Sequence, residues 1–149
     1  MQAPPPQVPP TNPYFLPALA AGTYGAAVIA VFGFIALIFS LNVLKEPGAS
    51  VLLAPAMVAA AIIVTFRRLV RVQAELSPWR DVAGAVASAY VVMLLIGGVG
   101  YAIGVGQLLW VPLFIAGEAL SPFMLSAALL SGVHVLGLWA LTTREANSR

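Results

Sequence analysis

His134 is the only histidine in the chain and lies in a long segment without charge. At helical spacing it shares a face with Ala127, Ser131 and Gly137, so we predict that it points into a helix bundle. The rise of a helix places Tyr90, in the preceding uncharged segment, within about one turn of the same depth. His134, Tyr90 and Ser131 therefore form the candidate polar site. It could line the path of a transporter or channel or, in the simpler interpretation, hold a neutral imidazole hydrogen-bonded to a neighbour.

Half of the charged residues lie in one short stretch. The chain has twelve charged residues, and six of them fall between Arg67 and Asp81. Arg67, Arg68 and Arg71 directly follow an apolar run, so their side chains are predicted to extend to the polar surface of a membrane. There they are candidates for contacts with anionic lipid head groups.

Lys45 and Glu118 are the candidate charges at the other side of the membrane. Glu118 is isolated in an otherwise uncharged segment, and Lys45 follows the first apolar run. We expect Glu118 to cap the start of the next helix or to pair with Lys45. The alternative is that Glu118 stands at the mouth of a path for a cation.

Arrangements that carry catalysis are absent from the sequence. There is no Ser/His/Asp set, no pair of carboxylates in one segment and no metal-ligand spacing, and the lack of cysteine excludes thiolate chemistry. Haem ligation by two histidines would require a second copy of the chain. A glycine-rich run follows no strand and opens no helix, which excludes a dinucleotide site; it comprises Gly97, Gly98, Gly100, Gly104 and Gly106. The sequence predicts no enzyme, no cofactor and no metal.

The composition predicts a membrane protein built from helices. Hydrophobic residues make up 61% of the 149 residues and charged residues only 8%, whereas soluble domains carry about 25% charged residues. A helix needs roughly 20 apolar residues to cross about 30 Å of hydrocarbon. Four runs are long enough, and we predict an all-α bundle of four transmembrane helices over residues 17–44, 50–66, 78–106 and 121–143.

The remaining segments are predicted to connect these helices or to precede them. Residues 1–13 contain six prolines and no charge, which favours a disordered tail in front of a single domain, 14–149. Ser77-Pro78 and Ser121-Pro122 both have the pattern of a helix start. Residues 107–120 are predicted to form a connection that lies in the membrane interface.

The distribution of basic residues predicts the orientation. Six of the seven Lys and Arg residues lie in the stretch from Arg67 to Asp81 or at the carboxyl end. Positive residues accumulate on the cytoplasmic side, so both termini are predicted to be cytoplasmic and the chain to be a multi-pass protein of the cell (inner) membrane. The net charge of +2 is explained by this rule, and no nucleic-acid partner is predicted.

Two further patterns bear on assembly. A shift of 67 residues aligns Leu53–Ile63 with Leu120–Leu130 at five of eleven positions, as an internal repeat would; chance similarity of Ala- and Leu-rich helices is the alternative. Small residues at i, i+4, such as Gly84 and Ser88, favour close helix packing. That packing is either internal to the bundle or between the chain and a partner, in a homo-oligomer or a larger membrane complex.

Two segments stand out within this hydrophobic layout: "PAMVAAAIIVTF" (Pro55–Phe66) and "LSPF" (Leu120–Phe123). With them, the chain resembles uncharacterised small four-pass membrane proteins of GC-rich bacteria. Because those proteins have no assigned activity, the resemblance implies no site residues. The function predicted from the sequence is a non-catalytic accessory or scaffolding subunit that packs with itself or a partner among membrane lipids. The alternative is a small oligomeric transporter or channel with its path near His134. A buried acidic residue in the first run, which small proton-coupled multidrug transporters need, is missing.

Overall fold

The computed structural model describes residues 12–40, 44, 50–72 and 77–147, without the side chains of 72 and 145–147. Apart from residues 12 and 13, the predicted disordered tail lies outside this part of the chain, as does Lys45. The described elements are all helices. In chain order they are α1 (Phe15–Phe39), α2 (Leu53–Val72), α3 (Pro78–Val105), α4 (Trp110–Glu118) and α5 (Pro122–Asn147).

Four of these helices are long and apolar enough to cross a membrane, namely α1, α2, α3 and α5. The all-α prediction with four such helices is confirmed. The bounds differ most at two places. α1 ends at Phe39 rather than at residue 44. The next residue, Ser40, adopts a left-handed backbone conformation with φ 51°. α2 continues through the arginines to Val72 instead of ending at Phe66, because arginine is a good helix former.

The four long helices run alternately up and down. Phe32 of α1 contacts Phe123 at the start of α5, with ring centroids 5.2 Å apart. Early residues of α2 likewise lie against late residues of α3. α1 begins, and α5 finishes, on the side of the bundle where α2 is connected to α3. We call this the basic end, because the described arginines lie there, and the other the opposite end.

α3 is the centre of the bundle and packs against α2, α4 and α5, while α1 packs against α2 and α5. Ser77 has the extended backbone of a residue before a helix, and Pro78 occupies the first position, where its missing N–H costs nothing. At the other end Gly106 takes φ 79°, and its N–H is bonded to the carbonyls of Ala102 and Ile103. This left-handed glycine ends the helix in the usual way.

The segment 107–120 is more ordered than the sequence predicts. It contains the nine-residue helix α4, and Pro112 falls in its first turn, where proline is tolerated. Phe114 and Glu118, one turn apart, are the buried residues of α4. The connection is therefore a helix packed on α3. The 67-residue shift of the predicted internal repeat aligns α4 with residues 43–51. Most of these residues lie outside the described part of the chain.

Glycines allow the helices to approach closely. A Cβ added at Gly97 would lie 2.5 Å from Phe114 Cε1, and one added at Gly132 would lie 2.6 Å from Val86 Cγ2. In lipid such close packing supplies much of the attraction between helices. These contacts are internal to the bundle. Gly104, by contrast, faces open space.

Candidate functional site

Tyr24, which the sequence did not single out, is the centre of the polar interior. Its side chain is completely buried on α1, and its hydroxyl donates a hydrogen bond of 3.1 Å to the carbonyl of Ala127 on α5. Its ring meets His134 edge-on, with centroids 5.6 Å apart and planes at 73°. The signal that could have found it is a phenol in the middle of an uncharged run, since only hydrogen bonding makes burial of its hydroxyl acceptable.

His134 is half-buried on α5. Its Nδ1 lies 2.8 Å from the carbonyl oxygen of Leu130. A carbonyl can only accept, so Nδ1 carries the proton and, in the neutral ring, Nε2 is left as an acceptor. Within the described part of the chain no group is bonded to Nε2. His134 therefore has one nitrogen fixed by its own helix and one available.

The predicted pairing of His134 with Tyr90 is wrong. The Tyr90 hydroxyl donates to the carbonyl of Ala119, at 2.7 Å, and ties α3 to the connection between α4 and α5. Tyr24 provides the ring that His134 meets. The rise of a helix fixes the depth of a residue, but the face on which Tyr90 lies depends on how α3 is rotated, and this the sequence did not show.

Ser131 and Thr65 are two further buried hydroxyls of the interior. Ser131 is fully buried and donates to the carbonyl of Ala128 in its own helix, at 2.7 Å. Thr65, also fully buried, has no hydrogen-bond partner for its hydroxyl among the described residues. The hydroxyls of Tyr24 and Ser131 are thus directed at backbone carbonyls, whereas that of Thr65 is not.

A lateral groove between α1 and α5 contains His134. Its volume is about 350 Å³, and it opens on the outer surface of the bundle, where several of its leucines are exposed. It extends from the depth of His134 toward the basic end. The groove is lined by Leu16, Leu19, Ala20, Thr23, Val133, His134, Gly137, Leu138 and Leu141.

A second lateral groove, between α3 and α5, contains Tyr90. It has a volume of about 490 Å³, and its walls are almost entirely apolar. Its α3 wall consists of Ala83, Val86, Ala87 and Tyr90, and the two alanines are small residues one turn apart. Its α5 wall consists of Leu125, Ala128 and Leu129.

The three candidate arginines have different surroundings. Arg67 and Arg71 are exposed at the end of α2, as a contact with lipid head groups requires. Arg68 is half-buried, and its guanidinium covers Gly84 of α3 so closely that an added Cβ would lie 2.9 Å from Nη1. Arg68 therefore packs between α2 and α3, and the head-group prediction fits Arg67 and Arg71 better.

Glu118 is buried, with only 1% of its surface exposed. It lies on the inner face of α4, and its backbone carbonyl accepts a hydrogen bond from the N–H of Ser121, just before α5. A residue at the open mouth of a cation path would be accessible to solvent, and the burial of Glu118 does not fit that alternative. The predicted pairing with Lys45 cannot be placed, because Lys45 lies outside the described residues.

In residues 12–40, 50–72 and 77–147, no three His, Asp or Glu side chains come together as a metal site would require. In the described residues, His134 Nε2 is an acceptor without a partner, and it lies in a lateral groove. Residues 14–149 match a family of unknown function, DUF6121. No curated protein and no solved structure matches the chain.

Proposed function

We propose that this chain, which belongs to the DUF6121 family of unknown function, is a non-catalytic multi-pass protein of the cell membrane that serves as an accessory or scaffolding subunit. The observation that carries the proposal is the contrast between interior and surface. The interior around Tyr24, Met57 and Phe114 is closely packed. The described cavities, in contrast, are lateral grooves on the outer surface.

The α3/α5 groove is the surface we assign to packing with a partner or a second copy. Alanines at i, i+4 let the backbone of another helix come close, which is the common basis of association in lipid. In the described part of the chain, the buried hydroxyls of Tyr24 and Ser131 are bonded to backbone carbonyls and do not form a set of groups for catalysis. An accessory subunit needs a packing surface and no reactive centre, which is what these features supply.

A test is native mass spectrometry of the protein extracted in mild detergent from its own membrane. We expect the wild type to retain a partner chain or a second copy. Ala87→Leu, which fills the α3/α5 groove, is expected to reduce that retention by at least about tenfold, or about 1.4 kcal/mol. Ala30→Leu is the matched control, because Ala30 is exposed on α1 and lines neither groove. A wild type that is always a lone chain would contradict the proposal.

The orientation is a separate part of the proposal, with both termini and the α2–α3 connection in the cytoplasm. Because the chain has no cysteine, single cysteines can be labelled without interference. Ser77 and Gln107 are exposed at the basic end and the opposite end, respectively. An impermeant maleimide is expected to label Gln107→Cys in intact cells, and Ser77→Cys only after permeabilisation. The reverse pattern would overturn the orientation.

A small oligomeric transporter or channel is the second candidate, and the observation that favours it is the available Nε2 of His134 in the α1/α5 groove. Such a path would require several copies to meet through this groove rather than through the α3/α5 groove. In that case Ala87→Leu would leave the assembly intact. The same mass measurement therefore separates the two candidates.

A further inference from the structure

The α1/α5 groove is long and narrow, as a site for a hydrocarbon chain would be. It spans Val133 to Leu141 on α5, about 12 Å at 1.5 Å per residue. A volume of about 350 Å³ over that length corresponds to a cross-section of about 30 Å². The volume also falls in the range of small-molecule sites, roughly 300–1,000 Å³.

The side chain of His134, which lines the groove, would be matched by a ligand that carries an uncharged hydrogen-bond donor. His134 Nε2 is an acceptor, since Nδ1 is committed to Leu130, and Thr23 already donates its hydroxyl proton to the carbonyl of Ala20. In an apolar surrounding an acceptor without a donor is costly. An ammonium group would be costly too, because a charge at this depth is far from water. A hydroxyl is the donor that a narrow chain can carry.

The basic end of the groove offers a positive charge. Gly137, Leu141 and Arg144 follow each other at helical spacing on one face of α5, and Arg144 is exposed. Ten residues separate Arg144 from His134, about 15 Å along the helix. That is about half of the roughly 30 Å of hydrocarbon in a bilayer. A chain within one leaflet could therefore place an anionic head at Arg144 and its middle or end at His134.

We propose that the α1/α5 groove is a binding site for a hydroxylated acyl chain, with an anionic head group at Arg144 and the chain hydroxyl donating to His134 Nε2. The inference uses the membrane placement proposed above but not the role as an accessory subunit. It is a site for a lipid-class ligand, distinct from the α3/α5 groove assigned to packing.

The test is binding of two matched probes to the purified full-length chain, followed by native mass spectrometry. The probes are hydroxystearate with its hydroxyl in mid-chain and unsubstituted stearate. One hydrogen bond in lipid should favour the hydroxylated probe by between about threefold and thirtyfold. His134→Phe keeps a ring beside Tyr24 but lacks the acceptor, so it should bind both probes equally.

Gly137→Leu is the blocking variant. Nothing lies within 4 Å of a Cβ added at Gly137, so the side chain should enter the groove without disturbing the bundle and abolish binding of both probes. Gly104→Leu is its control. A Cβ added at Gly104 also meets open space, but Gly104 lines neither groove.

Three results with the lipid probes would overturn the site. They are equal binding of the two probes by the wild type, an unchanged preference in His134→Phe, and wild-type binding by Gly137→Leu. Retention of a protein chain through the α1/α5 groove, lost in Gly137→Leu, would also overturn it. Because these measurements use the purified chain and lipid probes, they can fail while the partner experiment succeeds, or the reverse.

Discussion

Gly97→Leu is expected to lower the free energy of unfolding by about 3 kcal/mol or more, at the upper end of what overpacking costs. A Cβ at this buried position would already lie 2.5 Å from Phe114 Cε1 and 2.8 Å from Met57 Cε. The methionine can move, but the phenyl ring of Phe114 is fully buried against Tyr101, with centroids 5.6 Å apart. Leucine therefore cannot enter unless α4 leaves α3.

The measurement is reversible unfolding in mixed micelles, with the detergent that denatures the protein as the variable. Gly104→Leu is the control on the same helix, where open space surrounds the added carbons, and its effect should stay within about 0.5 kcal/mol. Equal losses in the two variants would show that helix backbone effects, and not the contact with α4, determine the result.

Tyr24→Ala is expected to cost about 3–5 kcal/mol, as truncation of large buried rings does. Tyr24 is fully buried among α1, α2 and α5 and contacts the ring of His134. The packed atoms, rather than the hydroxyl, should account for most of this loss. Lipid cannot refill a cavity inside the bundle, so the lost dispersion contacts are not recovered.

Tyr24→Phe separates the two contributions, because it removes only the hydrogen bond to Ala127. Hydrogen bonds between membrane helices average about 0.6 kcal/mol, and the loss should be of that size. Both variants can be measured by the same unfolding titration. A loss in Tyr24→Phe as large as that in Tyr24→Ala would mean that the hydroxyl, and not the packing, holds α1 to α5.

The fold could be predicted from the sequence because lipid imposes a simple demand. A chain with 8% charged residues in long uncharged runs has few folded forms other than helices long enough to cross a bilayer. The start of α3 at Ser77-Pro78 follows from local backbone chemistry in the same way. The helix α4 was missed because Pro112 suggested a break, and proline in a first turn does not give one.

The candidate site was predicted less well. His134 does lie on an inward-leaning face, half-buried, but Tyr24 and not Tyr90 is beside it. Depth follows from counting residues, whereas the neighbour of a side chain depends on the rotation of each helix about its axis. In apolar helices that rotation is set by close contacts such as those of Gly97 and Gly132. A single sequence does not reveal which of thirteen glycines makes them.

The bond from Tyr90 to Ala119 has a consequence for how the two ends of the molecule fluctuate. It anchors the far end of α4, while the insertion of Phe114 against Gly97 anchors its middle, so solvent can enter past α4 only when both attachments release together. Amide hydrogens there should exchange through rare, concerted openings. In the described residues, the side-chain hydrogen bond between α1 and α5 is that of Tyr24 to Ala127, and toward the basic end beyond it small local openings should suffice. Amide exchange is therefore expected to be slower around α4 than at the basic end of the α1/α5 pair.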